Sequence, residues 1–154
     1  MKKLLALSFL VVMGQGLQTQ LSAQSSNDEM RQLINDQFAF AAKQYKVLEN
    51  NVPADKMPKT FYAATGKVES SDTKWWCSGF FPASLLYIYE HTNDQEVLAI
   101  ARKRLALQEP MKHYTGNHDL GFMMFAPFGN AYRLFNDPKD HKTIDTAAMS
   151  LITR

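Results

Sequence analysis

The strongest constraint on this chain is a pair of nearly superimposable stretches. Gly79-Phe80-Phe81 is matched by Gly121-Phe122-Met123, and Tyr89-x-x-x-Asn93-Asp94 by Tyr132-x-x-x-Asn136-Asp137. The period is about 42 residues from Gly79 to Gly121, or about 43 from Tyr89 to Tyr132, the size of a helical hairpin repeat. Each copy opens with an apolar stretch. Gly79 to Tyr89 carries Phe80, Phe81, Leu85, Leu86, Tyr87 and Ile88 and has no polar face, while Gly121 to Phe135 is apolar nearly throughout. A helix that is apolar all round is expected to be buried on every side. Each copy then passes an Asn-Asp turn into a helix with one apolar stripe. In the first copy the stripe is Val97, Leu98, Ala101 and Leu105, with Arg102, Lys103 and Arg104 outside it. In the second, Pro138 leads into Ile144, Ala148 and Leu151. Two concentric layers satisfy both patterns, with apolar helices inside and amphipathic ones outside. The expected fold is all-α, part of an α/α toroid of helical hairpins. An open solenoid shares the local pattern but less often has helices apolar all round.

A further helix precedes the repeats. Ser26 and Glu29 form an S-x-x-E capping box, and Met30, Leu33, Ile34, Phe38, Ala41, Tyr45 and Leu48 follow at helical spacing up to Asn50-Asn51-Val52-Pro53. From Pro53 to Lys74 the chain is polar and reads as a long loop. Pro82 suits a first helical turn, whereas Pro127 lies inside a helix and is expected to kink it. The Met123-Met124-Phe125 run is read as core.

The N-terminus carries an export signature. Lys2 and Lys3 precede a short apolar run from Leu4 to Met13, and Leu21-Ser22-Ala23 offers a cleavage site before Gln24. The run is too short to span a bilayer, which takes roughly 20 apolar residues. The expected organisation is therefore a signal peptide over residues 1–23 and one helical portion over residues 24–154, exported to the periplasm or secreted, with no membrane insertion after cleavage. The formal charge of +2 falls to zero once Lys2 and Lys3 are gone. A neutral chain without a basic run has no electrostatic footprint for nucleic acid. Cys77 is the only cysteine, so no internal disulfide forms, and no Cys/His spacing indicates a metal. No cofactor is expected.

The repeat also places the chemistry-bearing residues. Trp75-Trp76 precedes the first inner helix and Asn117-His118-Asp119 the second, and superimposing Gly79 on Gly121 sets Trp76 opposite His118 and Cys77 opposite Asp119. Parallel inner helices bring both groups to one mouth, where helix N-termini favour anions. Aromatic faces, a histidine, a carboxylate and helix N-termini together suit an acidic sugar. Asp119 is also expected to cap the second inner helix with its side chain. Arg133, at the far end of that helix, reads as a structural ion-pair residue.

Four strings in order carry a family resemblance: Trp76-Cys77-Ser78-Gly79-Phe80-Phe81-Pro82, Tyr89-Glu90-x-Thr92, His118-Asp119-Leu120-Gly121-Phe122, and Phe128-Gly129-Asn130-x-Tyr132-Arg133-Leu134. Together they resemble glycoside hydrolase family 88, the unsaturated glucuronyl hydrolases, over essentially the whole chain after residue 23. Cys77 and Leu86 depart from the pattern. The resemblance implies a six-hairpin α/α toroid that removes a 4,5-unsaturated uronic acid from lyase-generated oligosaccharides. The implied chemistry is vinyl-ether hydration: an acid protonates C4, water adds at C5, and the resulting hemiketal falls apart. It further implies Asp119 as a catalytic carboxylate, Trp76 and His118 as substrate-binding residues, and a proton-donor aspartate on a later inner helix. With roughly two hairpins and a leading helix present, the chain reads as an inactive N-terminal fragment with inner-helix flanks left unpartnered.

Two alternatives accompany this reading. One is an unsaturated rhamnogalacturonyl hydrolase relative; the other is a non-catalytic helical-repeat module that binds glycans or a partner. Oligomeric state is not readable from the sequence. The export reading makes a direct prediction. Mass spectrometry of the exported protein should show Gln24 as the first residue, and an intact Met1 terminus would refute it.

Overall fold

A computed structural model describes residues 27–154. The signal segment and Ser26 of the capping box lie outside that range. Among the described residues the chain divides after Gln37, and the second compact unit is Phe38–Arg154. Residues 27–50 are helical (α1), and the second unit takes in that helix from Phe38 onward. There Phe38, Ala41, Tyr45 and Leu48 of α1 pack on the core, with Tyr45 stacked on Phe81 at 5.6 Å.

The first repeat forms α2 (Phe80–Thr92) and α3 (Gln95–Gln108). The second begins with a π-helical segment, Gly121–Gly129, continues as α4 (Asn130–Phe135), and returns as α5 (Pro138–Ile152). A short 3-10 turn, Glu109–His113, leads out of α3. The Asn-Asp pairs make both hairpins. Asn93 and Asn136 close their helices in the left-handed region, at φ 57° and 52°, where Asn is tolerated better than most residues. Asp94 then caps α3 by accepting the Glu96 and Val97 N–H groups, and Asp137 caps α5 through Lys139. Lys46 of α1 pairs with Asp94 and Glu96 at 2.8 and 2.7 Å, which pulls the Asp94 carboxyl below its ordinary range.

The two inner helices run side by side in the same direction. At their starts Gly79 abuts the first turn at Phe122 and Met123; at their ends Arg133 of α4 clasps Glu90 of α2 with two bonds of 2.7 Å. Leu85, Leu86, Val97, Ala101, Leu120, Met123, Met124 and Ala131 fill the space between the layers. Arg133 is thus an ion-pair residue, and Met123 and Met124 are core. The architecture is that of part of an α/α toroid.

Four features depart from expectation. The segment read as a loop folds into a β-hairpin, β1 (Met57–Tyr62) against β2 (Lys67–Ser71), with a bulge between Pro58 and Thr60 and Gly66 at φ 65° in the turn. The inner helices are not buried on every side: Phe80, Tyr87, Phe122 and Phe125 are exposed, Phe125 by 63%. Arg104 lies inside rather than outside the stripe and is 0% exposed. Its Nε donates to Glu49 at 2.7 Å, and its Nη1 donates to the carbonyls of Pro53, Ala54 and Lys56, so the charge is paired where it is buried. On α5, the buried positions are Thr143 and Ala147, while Ala148 and Leu151 of the expected stripe stay exposed.

Pro127 lies inside a π-helical segment, where the helix is wider than an α-helix. Proline lacks an N–H, and its ring excludes the carbonyl four residues earlier, here Met123. A π-helical turn separates the two, and Asn130 Nδ2 donates to the Ala126 carbonyl at 2.8 Å.

A Cβ on Gly79 would sit 2.3 Å from the Phe122 carbonyl oxygen and 2.5 Å from that of Met123, whereas one on Gly121 meets nothing within 4 Å. Gly79→Ala should therefore destabilise the fold by about 1–3 kcal/mol. The repeat-equivalent Gly121→Ala should be neutral or stabilising by up to about 1 kcal/mol. Chemical denaturation of both variants checks this, and equal stability would refute it.

Candidate active site

The site is built from the two lead-ins to the inner helices. In the first, Asp72 Oδ1 accepts the Lys74 N–H at 2.9 Å, the Ser78 N–H bonds the Trp75 carbonyl at 2.9 Å, and the Phe80 N–H bonds that of Cys77 at 3.0 Å. These local turns stand Trp75 and Trp76 on the edge of the fold. Trp76 is 44% exposed and meets Trp75 edge-to-face, with ring centroids 6.3 Å apart.

In the second lead-in, Asn117 Oδ1 accepts the Asp119 N–H at 2.9 Å. The Asp119 main-chain carbonyl then takes the first helical donors, from Phe122 at 2.9 Å and Met123 at 3.2 Å. The Asp119 carboxylate accepts no N–H from the helix start, so it does not cap with its side chain as expected. The carboxylate is left for other partners. His118 Nε2 stands 3.5 Å from Asp119 Oδ2, and the His118 side chain is largely in solvent.

The two lead-ins converge. Trp76 lies edge-on to Phe80 and to Phe122, each at 6.2 Å, and Phe80 and Phe122 are 5.6 Å apart. Cys77 lies in the field of Asp119. Burial first, and the Asp119 charge second, push its thiol above the ordinary range. The ring that meets Trp76 is Phe122, and His118 stays at the rim. Phe80 and Phe122 escaped the reading of single residues. Their signal was present, since each follows the glycine that marks its repeat.

Two concavities flank this aromatic cluster. One of about 520 Å³ runs between the inner helices and is lined by Phe80, Ser84, Tyr87, Phe125, Asn130 and Arg133, among others. The other, of about 370 Å³, lies between the β-hairpin, α1 and α2 and includes Phe61, Trp75 and Cys77. Phe80 belongs to both walls; His118 and Asp119 line neither. At the far end of the groove the Arg133 guanidinium holds the Glu90 carboxyl below the usual carboxylate range. Among the described residues, no group of three His, Cys, Asp or Glu side chains is placed to hold a metal.

No family model matches the chain. An unsaturated glucuronyl hydrolase of Formosa agariphila is 31% identical over 135 residues, which cover 86% of this chain and 34% of that protein. Over the matched span the chain is similar to the unsaturated glucuronyl hydrolases. A crystal structure of an unsaturated glucuronyl hydrolase specific for heparin superimposes with a TM-score of 0.71 at 28% identity, over 78% of this chain and 32% of the other. The unsaturated glucuronyl hydrolase of Streptococcus agalactiae does so with a TM-score of 0.64 at 23% identity, covering 76% and 31%, and adds support for the fold. The chain thus spans about a third of the length of the unsaturated glucuronyl hydrolases it matches.

The Cys77–Asp119 coupling is testable on the chain as it stands. Asp119→Asn removes one of the two influences that raise the thiol, leaving burial. More thiolate is then present at any pH below the thiol pKa, so iodoacetamide should label Cys77 faster at pH 8. An unchanged rate would separate the two lead-ins.

Proposed function

We propose that this chain is the N-terminal part of an exported unsaturated glucuronyl hydrolase. Residues 1–23 serve as its signal peptide, and residues 24–154 form the first hairpins of its α/α toroid. The observation that carries the reading is the meeting of Trp76 with Phe122, three residues after Asp119, which brings the aromatic lead-in and the acidic lead-in to one mouth. The substrate is an oligosaccharide ending in a 4,5-unsaturated uronic acid. Trp76 offers it a ring face, and His118, exposed at the rim, offers a hydrogen-bonding imidazole.

Asp119 is the catalytic carboxylate in this proposal. When C4 of the vinyl ether takes up a proton, positive charge spreads toward C5 and the ring oxygen. A fixed carboxylate beside that centre stabilises the charge and orients the water that adds to C5. Collapse of the hemiketal releases the rest of the oligosaccharide. The proton itself is assigned, by the family resemblance, to an aspartate on a later inner helix. Among the described residues no hydrogen bond or ion pair joins a second carboxylate to Asp119.

The test uses a longer version carrying the later hairpins. Asp119→Asn preserves size, and because the main-chain carbonyl does the capping, folding should be little changed. Turnover should fall about a hundredfold to a thousandfold, or roughly 3–4 kcal/mol. The substrate is an anion, so its affinity should hold. Turnover within about threefold of the parent, under roughly 1 kcal/mol, would remove Asp119 from the chemistry.

A further inference from the structure

Gln108 is the last residue of α3 and is 0% exposed. Its Nε2 donates to Ser78 Oγ at 2.9 Å and to the Thr73 carbonyl at 3.3 Å, while Ser78 Oγ donates to the same carbonyl at 2.9 Å. The three groups form a closed ring of hydrogen bonds. A main-chain carbonyl only accepts, which fixes the amide with its nitrogen toward Thr73. Thr73 and Ser78 are the two ends of the turn that carries Trp75 and Trp76. Ser78 is itself 1% exposed, so water does not compete for these bonds.

The amide is an unfavourable choice unless those bonds matter. Gln108 Oε1 is buried with no hydrogen-bond partner among the described residues. Methionine would fill similar space beside Met124 without that desolvation cost. The donors are what the amide adds, and its two bonds to oxygen go to the tryptophan turn, beside a longer contact to Met124 Sδ at 4.0 Å. Arg104, one helical turn earlier, holds the carbonyls of Pro53, Ala54 and Lys56 in the same manner. The buried polar edge of α3 therefore grips both ends of the segment from Pro53 to Ser78.

We propose that Gln108 is a positioning residue: acting through Ser78 and Thr73, it fixes the turn that presents Trp76 to the sugar. The inference rests on the sugar-stacking role given to Trp76 above, yet the positioning itself can be read without substrate. The chain has two tryptophans, both in this turn, so its indole signals report on nothing else.

Gln108→Met should weaken the near-ultraviolet circular dichroism of the Trp75–Trp76 pair and raise acrylamide quenching at least twofold, with helical signal and cooperative melting retained. Gln108→Glu tests rescue. Protonated at acid pH, its carboxyl donates one of the lost bonds and restores the signal; ionised, it faces the Thr73 carbonyl and loses the signal as pH rises. Dichroism and quenching unchanged in Gln108→Met would overturn the proposal. Should that variant fail to fold, Ser78→Ala cuts the same ring, and an unchanged signal there overturns it equally.

In a version carrying the later hairpins, Gln108→Met should raise KM for an unsaturated disaccharide about tenfold, with kcat within about threefold. Trp76→Ala keeps the two ideas apart. If it leaves KM unchanged while Gln108→Met loosens the indoles, the sugar-stacking role is wrong and the control of the turn by Gln108 stands.

Discussion

The mouth of this structure exists because residue 79 has no side chain. The lead-in to α2 passes so close to the second inner helix that any Cβ at Gly79 would overlap the carbonyl oxygens of Phe122 and Met123. Those carbonyls belong to a π-helical first turn, and Pro127 is the reason that turn is wide. The two features are coupled. The proline denies Met123 an ordinary helical partner, and the glycine lets a neighbouring backbone approach the widened turn. Across that contact Trp76 reaches Phe122, and Cys77 comes into the field of Asp119. At the other end Glu90 and Arg133 hold the helices in register, through an exposed pair that contributes more to geometry than to stability.

The second organising device is polar and buried. Arg104 is surrounded by Glu49 and three carbonyls of one turn, an arrangement in which pairing offsets desolvation. Removing Glu49 alone would leave a buried cation, at a cost of about 3–5 kcal/mol. Such an arrangement adds little net stability over an apolar one, but it tolerates no alternative placement of the turn. The β-hairpin starts directly after that turn, with Met57 fully buried beneath it. From there Lys59 and Tyr62 converge on Glu69 across the strands, at 2.6 and 2.7 Å.

How much of this was readable in advance depended on the range of the interactions. The hairpin repeat was readable because Asn93-Asp94 and Asn136-Asp137 are local devices: one residue accepts a left-handed backbone and the next caps a helix. The ends of both inner helices, and the ion-pair role of Arg133, followed from them. The β-hairpin was not readable. Its strands are short, Pro58 interrupts the alternation, and a bulge beside it shifts the register, so no period of two survives in the sequence. A helical stripe drawn from hydropathy leaves Arg104 outside, whereas its burial depends on Glu49 and Pro53–Lys56, about fifty residues away. The sequence presents Asp119 as a side-chain cap because aspartate before a helix usually is one. Here Asn117 orders the turn, and the Asp119 main chain takes the donors.

That last difference bears on how the site can work. A carboxylate that caps a helix spends its charge on the helix N–H groups, which would blunt its field at a bound sugar. In the proposed function, an Asp119 carboxylate that accepts no helix N–H has its charge available to a sugar bound at the mouth. The exposed rings beside it answer the other half of the problem. Trp76, Phe80 and Phe122 meet one another at 57–83°, not face to face, so their π-faces are not consumed by mutual stacking. An unsaturated uronic acid is flat around its double bond and negatively charged at its carboxyl. Aromatic faces can hold the flat part without regard to charge. A carboxylate does nothing for the binding of such an anion, but it acquires a partner when protonation makes the ring cationic. On the proposed function, binding by rings and rate enhancement by charge fall to different residues of one mouth, with Asp119 acting on the transition state more than on the ground state.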